Sequence, residues 1–183
     1  RLIDEKHRLV KLFVPPFDDG PLQPGYIKGY IPGIRENGGQ YTHGAVWLAR
    51  GASPDERRVY KFAADGEGLA TLKREYTVCR VLRQGLGERA DFAHLLEAQF
   101  ASAPFFLEYE YGGADLPTWA AEEQRLERLP TASRIELFLQ IARAVAAAHG
   151  LGVLHKDLKP ANVLISDTAA GLQARLTDFG SSR

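Results

Sequence analysis

Two short strings hold most of the side chains in this 183-residue chain that could do chemistry: HKDLKPANVL, from His155 to Leu164, and LTDFG, from Leu176 to Gly180. Each lies at the edge of a predicted strand. Carboxylate and amide oxygens are hard donors suited to a divalent cation, a carboxylate also accepts a proton, and a lysine offsets anionic charge. Upstream, Lys61 falls in a strand-like run where alternation puts Val59, Lys61 and Ala63 on one face and Tyr60 with Phe62 on the other. A lysine on an apolar face needs an anion. Residues 69–83 read as a helix whose stripe Leu72, Glu75, Cys79 and Leu82 turns one carboxylate toward the sheet, where an unpaired charge is costly. Lys61 is therefore the expected partner of Glu75.

The elements that must position these groups are legible in outline. GAVWLAR and RVYKFA, joined by turn formers in GASPDE, predict an antiparallel hairpin over residues 44–63. Short strands are expected at 95–100 and 104–110. In SRIELFLQIARAVAAAHG, Ile135, Phe138, Leu139, Ala142 and Val145 share one helical face, with Ser133 and Glu136 at capping-box spacing and Gly150 at the expected C-terminal stop. NVLIS and ARLTDF then form a second hairpin. The order is a β-rich half, one long helix and a β-hairpin, an α+β arrangement.

Taken together, the two strings resemble a eukaryotic-type protein kinase catalytic domain of the Ser/Thr kind. The catalytic-loop pattern H-R-D-x-x-x-x-N appears as His155, Lys156, Asp157 and Asn162, and D-F-G as Asp178, Phe179 and Gly180. The resemblance implies a kinase-like fold and transfer of the γ-phosphoryl group of ATP to a Ser/Thr hydroxyl of a protein substrate. It makes Asp157 the proton acceptor, sets Lys159 against the γ-phosphate, and gives Mg2+ to Asn162 and Asp178. Lys61 and Glu75 match the ion pair that holds the α- and β-phosphates. The glycine-rich loop maps onto Gly39, Gly44 and Val46, with Tyr41 at the second glycine. FFLEYEYGG resembles the link between lobes, with Leu107 as gatekeeper, main-chain bonds to adenine from Glu108 and Glu110, and Asp115 near ribose. Val46, Val59 and Leu164 would sandwich the base. His155 and Phe179 would pack in a hydrophobic column with Cys79. Lysine in DLKPAN points to Ser/Thr rather than Tyr specificity.

Composition bounds the alternatives. The chain has 23 basic and 23 acidic residues, so no broad basic field points to nucleic acid. No apolar run is long enough for a membrane span. A single cysteine fits a reducing compartment, which makes the cytoplasm the expectation. The absence of methionine and the stop just after D-F-G predict an excised piece lacking the rest of the large lobe, inactive alone. The expected organisation is a tail or linker at 1–25, a small nucleotide-binding lobe at 26–111 and the start of a large lobe at 112–183. Two other readings stay open: a pseudokinase or nucleotide-binding scaffold, and a small-molecule phosphotransferase of related fold.

Overall fold

The computed structural model describes residues 44–50, 57–63, 65–102 and 105–182. Strands β1 (Gly44–Arg50) and β2 (Arg57–Ala63) pair antiparallel, with Val46 opposite Lys61 and Leu48 opposite Val59. Helix α1 (Gly66–Leu86) follows and extends the expected span at both ends. The Asp65 side chain accepts the Gly68 N–H at 2.7 Å and starts it, while Gly87, at φ 71°, ends it in the left-handed region. Strands β3 (Leu95–Gln99) and β4 (Phe106–Glu110) complete a four-stranded sheet of order β1-β2-β4-β3. Tyr60, Phe62 and Phe106 pack their rings together on one face. On the other face, Leu107 and Tyr109 meet Leu72 of α1. The period-2 pattern of the central strands thus sends aromatic bulk one way and the chemical groups the other.

A second sheet of order β5-β6-β7 comes from Ala114–Asp115, Val163–Thr168 and Gly171–Leu176. Between β5 and β6 lie α2 (Leu116–Ala121), α3 (Arg125–Arg128) and α4 (Thr131–Gly150). The sequence does not announce α2, because six residues are too few to establish a period.

The long helix departs from its expected details. It begins at Thr131 behind Pro130, so Ser133 lies inside the first turn and caps nothing. The left-handed glycine at its end is Gly152, φ 74°, and Gly150 is the last helical residue. Its inward face is Leu137, Ala144 and Ala148, whereas Ile135, Phe138 and Leu139 are exposed. Gln140 helps set that rotation: its Oε1 accepts the Ala174 N–H at 2.8 Å and its Nε2 donates to the Leu172 carbonyl at 3.1 Å, locking the helix to β7. No helix among the described residues is long and apolar enough to cross a membrane.

Candidate active site

Lys61 projects from the middle of β2 into the space between the first sheet and α1. Its Nζ donates to Glu75 Oε1 at 2.6 Å and to Asp178 Oδ1 at 3.2 Å. One ammonium therefore joins the strand, the helix and the loop after β7. The two carboxylates raise the lysine's pKa, outweighing the burial that would lower it. The positive charge of Lys61 holds the Asp178 carboxyl below its ordinary range. The expected pairing of Lys61 with Glu75 is what the geometry displays.

Helix α1 can reach this loop because Gly180 is small. A Cβ there would lie 2.7 Å from Thr71 Cγ2, and the Gly180 carbonyl instead accepts from Arg74 Nη1 at 3.0 Å. Phe179 is buried, its ring 4.7 Å from that of His155 and 6.0 Å from that of Phe92. Val78 and Leu82 belong to the same core as Phe179. Cys79, expected in that column, packs instead with Leu72 and Tyr109, because a step of one residue on a helix turns a side chain by roughly 100°.

The second cluster forms between α4 and β6. His155 Nδ1 lies 3.3 Å from the Asp157 N–H and accepts from it, which leaves Nε2–H to donate to the Thr177 carbonyl at 2.9 Å. Asp157 Oδ2 accepts from Lys159 Nζ at 2.7 Å and from Asn162 Nδ2 at 3.1 Å. Asn162 Nδ2 also donates to the Asp157 carbonyl at 2.8 Å, and the Asn162 carbonyl accepts the Thr177 N–H at 3.1 Å. Asp157, Lys159 and Asn162 are thereby one hydrogen-bonded unit, tied to the strand end that leads to Asp178.

These bonds use Nδ2 of Asn162 and Oδ1 of Asp178. Asn162 Oδ1 and Asp178 Oδ2 remain as hard oxygens, a donor chemistry that fits Mg2+.

Other expected residues fall differently. Gly39 and Tyr41 lie outside the described residues. Gly44 opens β1, and Val46 and Val59 are half-buried on the Lys61 side of their strands. Leu164, half-buried, stands opposite Asp115 in the β5–β6 pair. Asp115 does not reach outward for a ribose. It is buried and caps α2, its two carboxylate oxygens accepting the Thr118 N–H at 2.9 Å and the Thr118 hydroxyl at 3.0 Å.

The link between the sheets also needs correction. Glu108 sits opposite both Tyr60 and Glu97 in the interior of the sheet, so its main chain faces neighbouring strands and not a base. The Glu110 N–H donates to the His94 carbonyl at 3.0 Å. The residue beside Val59 is Tyr109, whereas Leu107 lies deeper, opposite Lys61. Tyr109 is a site residue absent from the expected set, although strand alternation puts it on the Lys61 face.

The sequence model of the protein kinase domain family matches residues 93–183, which contain both the catalytic-loop cluster and the Asp-Phe-Gly turn. Residues 93–183 belong to a eukaryotic-type protein kinase catalytic domain. The likeness of the chain to kinases runs further. Cyclin-dependent kinase B2-1 of Oryza sativa subsp. japonica is 32% identical over 155 residues, covering 81% of this chain and 47% of that relative. Serine/threonine-protein kinase pkn2 of Myxococcus xanthus is 49% identical over 55 residues, 30% of this chain and 7% of the relative.

Residues 1–55 match a different family, the catalytic domain of the glycosyl hydrolase 94 superfamily. Cyclic beta-(1,2)-glucan synthase NdvB of Rhizobium meliloti is 52% identical over 56 residues, 31% of this chain and 2% of that relative. The chain thus spans less than half the length of each of these relatives. The second match covers Gly39, Gly44 and Val46 and ends in the connection between β1 and β2. Strand β1 therefore lies in the stretch that carries this other family's pattern.

Proposed function

We propose that this chain contributes the nucleotide-binding and catalytic-loop parts of an ATP-dependent protein Ser/Thr kinase. The observation that carries the reading is the position of Lys61, bonded at once to Glu75 and Asp178. A lysine held this way presents a fixed cation to the α- and β-phosphates, next to a carboxylate with one oxygen to spare. Val46, Val59 and Leu164 supply apolar contact for the base, and the glycines at 39 and 44 the approach to phosphate. Mg2+, held by Asn162 and Asp178, would neutralise charge on the phosphoryl oxygens. Asp157 orients the acceptor hydroxyl and takes its proton, and Lys159 offsets charge at the γ-phosphate. The substrate is a Ser/Thr-bearing protein, supported by the names of the kinase relatives and by lysine two residues after Asp157.

The test is transfer of label from γ-labelled ATP to a protein acceptor by the full-length protein, with Asp157→Asn as the diagnostic variant. Loss of its general base and positioning group lowers the rate by roughly 100-fold or more. Transfer at the wild-type rate would overturn the assignment. Titration calorimetry gives a second readout: Mg2+ tightens ATP binding, and Asp178→Ala removes most of that gain.

A further inference from the structure

Glu75 is only 1% exposed, and its Oε1 serves two donors. One is Lys61. The other is the phenol of Tyr109, on the same face of the sheet as Lys61, which donates at 2.8 Å. The tyrosine is itself 3% exposed, and its ring passes the Lys61 ammonium at 5.6 Å. Cys79 Sγ, one turn along α1, is 3.7 Å from the same phenolic oxygen. Tyr109 stands opposite Val59 on one side and Leu95 on the other, so three strands fix its backbone.

We propose that Tyr109 is a positioning residue, whose hydroxyl clamps the Glu75 carboxylate to the central strand and thereby sets Lys61 for the phosphates. This deepens the nucleotide-binding reading and rests on it. A carboxylate with a single mobile lysine partner can follow its helix outward whenever α1 shifts. A second donor anchored in the middle of a sheet resists that shift, because breaking it strands a buried phenol as well as a buried charge. Burial and the Glu75 charge hold the Tyr109 phenol well above its ordinary pKa, so it stays a donor throughout the working pH range.

The experiment is a double-mutant cycle on the full-length protein, read as Mg·ATP dissociation constant and as kcat/KM for ATP. Tyr109→Phe keeps the ring and nearly the whole volume, so the core stays filled. It is expected to weaken Mg·ATP about fivefold to tenfold. In a Glu75→Ala background the same change is expected to move the constant by less than twofold, since nothing remains to clamp. Should Glu75→Ala fail to fold, Lys61→Ala closes the cycle, because it removes the group that the carboxylate delivers. Equal losses in both backgrounds would mean that the tyrosine acts only as packing and would overturn the proposal. A Tyr109→Phe variant that binds as the wild type does would also overturn it. Wild-type protein that binds no Mg·ATP would sink the nucleotide reading itself, a distinct outcome from a wild type that binds while the cycle is additive.

Discussion

Lys61 shows why a side chain's chemical role and its structural role must be separated before it is mutated. Glu75 is buried behind it, so Lys61→Ala removes the proposed phosphate ligand and also leaves a carboxylate short of one donor. Breaking a buried pair costs about 3–5 kcal/mol. We expect Lys61→Ala to lower the urea midpoint substantially, and Lys61→Ala/Glu75→Gln to recover part of the loss. Asp157, more than a third exposed, carries no such penalty, and Asp157→Asn is expected to melt like the wild type.

Cys79 offers a prediction with a defined pH dependence. Burial first, then the Glu75 charge, pushes its thiol up to about 12. The reactive species is the thiolate, whose fraction near pH 8 then falls from about a quarter to roughly one part in ten thousand. Alkylation of native protein at pH 8 should be slower than in urea by at least a hundredfold, and should speed up as pH rises toward 12. Labelling at the free-thiol rate under native conditions would show that the Cys79–Tyr109–Glu75 cluster is open.

At the scale of elements, the paired glycines after β4 show a constraint that composition cannot convey. Gly113 has φ 114°, and a Cβ there would lie 2.1 Å from the Ile165 carbonyl oxygen of β6. Gly150, at the end of α4, would meet nothing within 4 Å. Gly113→Ala is therefore expected to cost about 3 kcal/mol or more, while Gly150→Ala is neutral or stabilising by up to about 1 kcal/mol. Chemical denaturation of the two variants in parallel checks both signs.

Much of the site was readable from local pattern. The partnership of Lys61 with Glu75 follows from two periodicities, and the cluster at Asp157, Lys159 and Asn162 from a spaced string that a short loop keeps together. What escaped reading depends on partners distant in sequence. Asp115 is a polar residue whose use was decided by Thr118 and the start of a six-residue helix. The rotation of α4 was decided by β7, thirty or more residues downstream, through Gln140. The glycine pattern at 39–46 lies within residues 1–55, which match the glycosyl hydrolase 94 family, whereas the kinase-family match begins at residue 93, and so short a spacing could not tell the two apart.

On the scale of the whole molecule, two of the places where the two sheets are joined involve neighbouring residues of β7. In one, the segment between α1 and β3 bonds to the end of β7: the Ala93 N–H donates to the Leu176 carbonyl at 2.8 Å, and the Leu176 N–H to the Asp91 carbonyl at 2.9 Å. In the other, Arg175 Nη1 donates to the Gly112 carbonyl at 3.0 Å and to Ser166 Oγ at 2.6 Å. Arg175→Ala is expected to lower stability by about 1.5–3 kcal/mol. It should also speed hydrogen exchange at the 110–113 amides while those at 91–93 stay protected. Exchange that rises equally at both places would show that they open as a single unit.

Leu176 and Arg175 are neighbours on one strand, yet they grip two separate stretches of the chain. A rigid plate fastened to another at two points alone could swing about the line through both, but the Lys61–Asp178 and Arg74–Gly180 bonds add further fastenings. Any swing of one leaf against the other must therefore first undo those two bonds, so the side chains of the site double as its latch.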